Sequence, residues 1–269
     1  MKGFDQFIRE RQYLQNVSPR TVEWHQQSLK WLGIEEPNED DLKRAVLRMR
    51  EAGLKASSVN CRLRSINAYL KWCGSKLKVP KLKEEQKVLP TYAEKDIHAF
   101  LVWKPKRYYA RRTQVIVLML ADTGCRISEL LGLRWQDVNF DDLLVTVTGK
   151  GNKSRTIPYS MELRKFLFKL QQQSKPGYVF STLDGKQLGI RNVFRDITNA
   201  CEELKVNAPE RRVHAMRHSM ATNFIRRGGS VAMLQRVLGH SSITTTMRYV
   251  HLQTHDLSSV HQKISLLSS

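Results

Sequence analysis

Between Gly74 and Leu89 the chain reads GSKLKVPKLKEEQKVL, a lysine-rich stretch with no helical period, Pro80 inside it and Pro90 directly after it. Backbone of this kind reads as an extended linker. It divides the 269 residues into two parts that must each bury a core of their own. The predicted boundaries are a helical domain over residues 1–80, a linker over 81–89 and a second domain over 90–269.

The two parts are patterned differently. In the first, Ser18-Pro19 sets a capping hydroxyl before a proline, opening a helix that runs through about Leu32. Val22, Leu29 and Leu32 share one face of it, and Arg20, Gln26, Gln27 and Lys30 are left polar. A second helix is expected from about Asp40 to Gly53, with Leu42, Val46 and Met49 inward. A third follows Ser57, where Val59, Leu63, Ile66 and Leu70 form an apolar stripe. Asn60, Arg62, Arg64, Asn67 and Lys71 line its other side, either as a solvated face or as one that meets a polyanion.

The second part mixes helix and strand. Helices are expected over Thr113–Asp122, Ile127–Leu133, Ile190–Leu204, His214–Arg226 and Val231–Leu238, with a last one containing Tyr249. Leu143–Thr148 and Ser154–Pro158 read as strands around a GKGNK hairpin tip, and Tyr178–Phe180 carries a weaker strand signal.

Charge narrows the partners. Lys and Arg number 45 against 25 Asp and Glu, a net +20. Of this excess, +7 lies before residue 88 and +13 after it, so neither part carries it alone. A polyanion that touches both domains fits this distribution, and nucleic acid is the commonest one. No apolar run approaches the roughly 20 residues that cross a membrane, and the longest, Val115–Ala121, reads as a buried helix. There is no lipidation motif and no secretory signal, so a cytoplasmic protein without membrane partners is expected. Cys61, Cys73, Cys125 and Cys201 are scattered without metal-ligand spacing and read as buried reduced thiols.

Four short motifs in the second domain make chemical sense together. TGCRISELLGL puts Arg126 at a helix start, and GKGNKSR puts Lys150 at the hairpin tip. HAMRH sets His214 and Arg217 three apart on one helical face, and LGHSSITTTMRY sets His240 nine residues before Tyr249. Singly each is ordinary: GKGNK is no phosphate loop, and HAMRH has Ala215 where a zinc-protease helix needs glutamate. Jointly they describe phosphoryl transfer. Two arginines can clamp one phosphodiester and stabilise the charge of its transition state. A tyrosine hydroxyl, with an ordinary pKa of about 10, needs such a cationic site and a base to act as nucleophile. A lysine on a hairpin can protonate a deoxyribose leaving oxygen, and two histidines remain for proton handling. No acidic cluster resembles a two-metal site, so no metal or other cofactor is expected.

The motifs, their order and their spacing resemble the tyrosine recombinase (phage integrase) family, most closely its Xer-type and compact transposon members that lack an arm-binding domain. The resemblance runs from about Val88 to Leu252, with all six family positions filled, and more loosely over the first domain. It implies that Arg126 and Arg217 hold the scissile phosphate and that Lys150 protonates the 5′ leaving oxygen. His214 would act in acid–base transfer and His240 would hydrogen-bond a phosphate oxygen. Tyr249 would attack, leaving a 3′-phosphotyrosine and a free 5′-hydroxyl. Glu129 matches an acidic position that supports the site, His218 a buried hydrogen-bonding one, and Trp135 is expected to pack in the core. One phosphodiester is exchanged for another ester, so rejoining needs neither metal nor ATP.

The implied architecture is two-domain. An all-α, SAM-like core-binding domain precedes a mixed, mainly α (α+β) catalytic domain, and together they form a C-shaped clamp on double-stranded DNA. The linker would let them close on opposite sides of the duplex. The implied activity is that of a site-specific DNA recombinase giving integration, excision or resolution. Arg20, Lys30, Arg62, Arg64 and Lys71 in the first domain, and Lys106, Arg107, Arg111 and Arg112 in the second, are the expected DNA contacts. Helical pattern begins almost at Met1, leaving no room for an arm-binding domain. After Tyr249, Leu257, Val260, Ile264 and Leu267 form an apolar stripe. That stripe either folds back on its own core or, as the resemblance implies, docks in trans within a homotetramer at synapsis. The sequence names no accessory protein. Type IB topoisomerases share a similar residue set but relax supercoils without pairing two sites, and a non-catalytic DNA-binding regulator has no need of Tyr249.

Overall fold

A computed structural model describes residues 3–84, 89–149 and 151–250. The chain divides into two compact units, Met1–Lys87 and Val88–Ser269.

Among its described residues the first unit holds four helices and no strand: α1 (Phe4–Tyr13), α2 (Pro19–Leu32), α3 (Glu39–Glu51) and α4 (Ala56–Trp72). The expected cap opens α2, with Ser18 Oγ accepting from the Thr21 N–H at 3.3 Å, and Gly33 closes it at φ 72°. The start of α3 lies slightly before the predicted one. Asn38 and Asp41 form a reciprocal capping box there, each side chain accepting from the other's backbone N–H. Along α4 the predicted stripe is buried, with Val59, Leu63, Ile66 and Leu70 each at most 1 % exposed. Such burial stabilises by about 1.5–3 kcal/mol per side chain. Phe7 of α1 completes this core, its ring edge-on to those of His25, Tyr69 and Trp72.

The polar side of α4 corrects one expectation. Asn60 and Asn67 do not face outward: their amides clamp the backbone of the segment expected to be a free tether. Asn67 pairs with both backbone groups of Val79, at 2.9 Å each, and Asn60 does the same with Leu82 at 2.8 and 2.9 Å. Two side-chain amides thus replace the partner strand that extended backbone otherwise needs.

The second unit is mostly helical with one small sheet. Its helices are α5 (Glu94–Val102), α6 (Tyr108–Thr123), α7 (Ile127–Gly132), α8 (Met161–Gln171), α9 (Ile190–Glu203), α10 (Arg212–Arg226), α11 (Val231–Leu238) and α12 (Ile243–Met247). The apolar run noticed in the sequence lies in α6, where every residue from Val115 to Leu120 is buried, so α5, α8, α9 and α10 pack around it. Gly124 stops α6 at φ 60° and turns the chain directly into α7. The strands β1 (Val138–Asn139), β2 (Leu144–Thr148) and β3 (Ser154–Pro158) form an antiparallel sheet in that order. The two main strands are those predicted. Tyr178 makes only an isolated bridge to Arg134, so no strand forms at Tyr178–Phe180. Trp135 packs partly buried against the core. Cys125 and Cys201 are buried as expected, whereas Cys61 and Cys73 are only half-buried, and all four are free thiols. Tyr249 does not lie in a helix: α12 ends at Met247, and Tyr249 follows in a turn whose N–H donates to the Thr246 carbonyl at 3.0 Å.

Among the described residues no helix is long and apolar enough to cross a membrane.

Candidate active site

The sharp turn at Gly124 places Arg126 as the residue preceding α7, where its backbone N–H and its guanidinium both reach Glu129 one turn later. Glu129 is 3 % exposed, and its carboxylate accepts four N–H groups. Two come from Arg126, its backbone at 2.8 Å and its guanidinium at 2.7 Å. The other two come from Arg155, at 2.7 and 2.9 Å. Burial by itself pushes the carboxyl up, but these bonds outweigh it and hold its pKa at about 2. Glu129 is therefore ionised at neutral pH.

Helix α11 brings the third element. The last carbonyls of a helix have no intrahelical partner and carry its partial negative charge. Three consecutive ones are taken by three arginines. Val237 O accepts from Arg155 Nε at 2.8 Å, Leu238 O from Arg217 at 2.7 Å and Gly239 O from Arg126 at 3.2 Å. Arg217 lies in α10, is 9 % exposed, and also donates to the Gly124 carbonyl and to His240 Nε2, the latter at 3.1 Å. Its burial, with Arg126 close by, lowers its pKa to about 10, so it stays a cation at neutral pH.

The contact with Arg217 fixes the state of His240. A guanidinium only donates, so Nε2 accepts and the ring proton sits on Nδ1, which donates to Thr246 Oγ1 at 2.9 Å. Burial and the surrounding arginines hold His240 at about 4, well below the usual 6.5.

Tyr249 is 2 % exposed, its ring in a cluster with Ala221, Ile225, Leu234 and Leu238. Its hydroxyl is 2.8 Å from His218 Nδ1. Burial raises the tyrosine pKa, against the pull of Arg217 and Arg248. Burial, then His214, Arg248 and Arg217, lowers His218 to about 4. At neutral pH the pair is uncharged, and the hydroxyl keeps its proton.

Of the six residues expected to carry the chemistry, Arg217 is hydrogen-bonded to His240, Arg126 donates to the carbonyl of Gly239 next to it, and Tyr249 lies within the field of Arg217. His214 is exposed on α10, one turn before His218. Lys150 lies outside the described residues. The hairpin that carries it is closed by Gly149 N–H donating to Lys153 O at 2.9 Å, with Gly151 and Asn152 at positive φ. Arg155 and Thr246 were not singled out in the sequence. Strand alternation could have found Arg155: it shares a face with buried Ile157, where an arginine is out of place.

The phage integrase family model matches residues 92–256 of this chain. The chain belongs to the phage integrase family. Tyrosine recombinase XerA of Pyrococcus furiosus is 29% identical over 242 residues, which cover 87% of this chain and 83% of that protein. Tyrosine recombinase XerC of Mycobacterium leprae is 35% identical over 164 residues, 57% of this chain and 54% of its own. Among solved structures, the Tn1549 transposon integrase in complex with transposon right end DNA has a TM-score of 0.78 at 21% identity, covering 97% of this chain and 98% of that one. The XerH site-specific recombinase bound to its difH substrate has a TM-score of 0.66 at 14% identity, covering 95% and 83%. At these identities the structural likenesses speak for the fold. The expected tyrosine recombinase with Xer-type relatives is thus borne out, and the enzyme is a site-specific DNA recombinase.

The basic residues expected to touch DNA divide in this recombinase. Arg20, Lys30, Arg64, Lys71, Lys106 and Arg107 are exposed, and Arg62 is half-buried against Gln27. Arg107 lies by Tyr109, donating to its hydroxyl at 2.8 Å. Arg111 is half-buried and donates to the Pro105 carbonyl and to Gln173, both at 3.0 Å. Arg112 is a correction. It is 6 % exposed, pairs with Asp196 at 3.2 Å and donates to the Ser181 carbonyl at 2.6 Å, so it serves the core and has no face left for a phosphate.

Proposed function

We propose that this recombinase cleaves and rejoins double-stranded DNA through a covalent bond between Tyr249 and a 3′-phosphate. The observation that carries the reading is the pairing of Arg126 and Arg217 on adjacent carbonyls of one helix end, with the Tyr249 hydroxyl in the field of Arg217. The Arg126 side chain is 43% exposed, so it can turn donors toward an arriving phosphodiester without unfolding anything. The Tyr249 oxygen forms a bond to phosphorus while the bond to the 5′ oxygen breaks. The phenolic proton passes toward His218 or His214, and Lys150 supplies a proton to the leaving oxygen. The two guanidiniums take up the added charge of the transition state. The reverse attack by a 5′-hydroxyl restores the phosphodiester.

The all-helical first unit serves as the core-binding domain in this reading, closing with the catalytic unit as a clamp on the duplex. Its exposed Arg20, Lys30, Arg64 and Lys71 contact the phosphate backbone. Four copies act at synapsis, each lending its segment after Tyr249 to a neighbour. A groove of about 360 Å³ among α5, α6, α8 and α10, with Leu101, Leu118, Leu163 and Met220 in its wall, suits the apolar stripe of that segment. Truncation after His255 should abolish recombination, and full-rate recombination by the truncated enzyme would remove the trans arrangement.

The test of the chemistry is covalent trapping on nicked duplexes built from DNA flanking the gene, in EDTA. An adduct in wild type and none in Tyr249→Phe is expected, with the bond mapped to a 3′-phosphate. An adduct that persists in Tyr249→Phe refutes the assignment.

A further inference from the structure

Arg155 is an arginine of the site that no reading of the motifs singled out, and its side chain makes as many hydrogen bonds as that of Arg217. Its side chain is 16% exposed. It uses three nitrogens on two partners: Nε on the Val237 carbonyl and both Nη groups on the Glu129 carboxylate. It reaches them because β3 pairs Arg155 with buried Val147, so the side chain leaves the sheet on its inner face. Gly239 closes the arrangement. A Cβ built there would lie 2.9 Å from Cζ, Nε and Nη1 of Arg155, and the residue has φ +62°. A side chain at this position therefore meets both a strained backbone and the guanidinium beside it.

We propose that Arg155 is a positioning residue of the strand-transfer site, holding Glu129 and the end of α11 so that Arg126 and His240 face the phosphate; this rests on the function proposed above. Without Arg155, both donors left on Glu129 belong to Arg126. The carboxylate would then draw in and neutralise the cation meant for DNA. The Val237 carbonyl would also lose its donor, three residues before His240. Lysine cannot take over, because one ammonium nitrogen cannot reach a carbonyl and two carboxylate oxygens in fixed, divergent directions.

The test uses the full-length protein with Arg155→Lys, Arg155→Gln and Gly239→Ala. Hydrogen exchange without DNA reads the first link: amides of residues 236–241 should exchange faster in all three variants, while those of α6 keep their protection. Single-turnover adduct formation on the nicked flanking duplexes, with enzyme saturating, reads the second. Arg155→Lys and Gly239→Ala should slow cleavage about 10²-fold, the cost of misplacing reacting groups by roughly 1 Å. Their DNA dissociation constants should stay at the wild-type value. A residue with a merely structural role would shift melting and affinity but not the saturated rate. Wild-type cleavage by Arg155→Lys overturns the proposal, as does unchanged exchange at 236–241 in Arg155→Gln. Gly239→Ala keeps it testable if Arg155→Gln does not fold. A wild type that forms no adduct refutes the proposed chemistry and leaves the exchange result to judge Arg155.

Discussion

Replacing Glu129 by glutamine separates the charge of the side chain from its shape. The carboxylate is 1% exposed, and its two oxygens accept four N–H groups. Glutamine keeps one acceptor oxygen and turns an NH2 group toward two donors. Two charge-assisted hydrogen bonds are lost, each worth about 1.5–3 kcal/mol. Removing one partner of a buried ion pair costs about 3–5 kcal/mol. Arg126, 43% exposed, can recover water, whereas Arg155 at 16% recovers little. The lower end of that range, about 3 kcal/mol, is therefore expected. Its pH dependence is fixed by the Glu129 pKa, held at about 2 in the fold against the usual 4.5. A carboxyl depressed by folding contributes fully above its unfolded value and loses that contribution as pH falls toward its folded one. The advantage of wild type over Glu129→Gln should be flat near neutrality and smaller by about 1.4 kcal/mol at about pH 3.5. Urea denaturation of both proteins across this range measures it. An advantage below about 1 kcal/mol at neutral pH, the level of an exposed pair, refutes the reasoning. So does an advantage of constant size throughout.

Three further outcomes follow from the same structure. His25, His218 and His240 sit at about 4 instead of 6.5, with burial as the first cause in each. The unfolded chain protonates first, so stability is full above 6.5 and is lost as pH falls toward 4, by up to about 3 kcal/mol per histidine; His25→Gln, measured by urea denaturation, should flatten the first unit's share. Arg112→Gln should cost about 1.5–3 kcal/mol of stability, the worth of a charge-assisted hydrogen bond, because Asp196 keeps its other partner Arg195, and should leave the salt dependence of DNA binding unchanged, whereas Lys106→Gln should lower that slope by about 0.9. Arg217→Lys should slow adduct formation more than Arg126→Lys in single-turnover assays, because Glu129 already shares part of the Arg126 charge; the reverse order would count against the charge assignment.

Much of this was legible in the sequence because it follows local rules. The α4 stripe and the β2–β3 hairpin obey periods of 3.6 and 2, and Ser18-Pro19 and Gly124 mark helix ends by backbone chemistry alone. Arg126, Arg217 and His240 were found because each sits in a motif of fixed spacing. What escaped depends on contacts between distant segments. Asn60 has the polarity of a surface residue, and nothing local says that it clamps Leu82. Arg112 looks like its neighbour Arg111 until Asp196 is brought beside it. Arg155 lies just past a hairpin tip, where a basic residue is commonplace, and only the face of β3 makes it anomalous. Tyr249 reads as helical from its spacing, yet α12 stops short of it.

The choice of partners explains how the site can keep three arginines together and still present positive charge. Carboxylates alone would hold the guanidiniums firmly but cancel them. Here one buried carboxylate serves two arginines, and the remaining donors rest on carbonyls of the α11 terminus and of Gly124. A helix terminus offers about half a unit of negative charge spread over several oxygens, enough to orient cations without neutralising them. Arg217 has no carboxylate partner among its hydrogen bonds and keeps its full charge beside His240 and Tyr249. Tyr249, the nucleophile of the proposed chemistry, is held the opposite way, protonated, buried and bound to a neutral imidazole. The site is thus charged where phosphate must arrive and neutral where the attacking oxygen waits. In the proposed chemistry the arriving phosphodiester takes over the Arg217 donor now on His240 Nε2, and that nitrogen, once it carries the ring proton, donates to a phosphate oxygen.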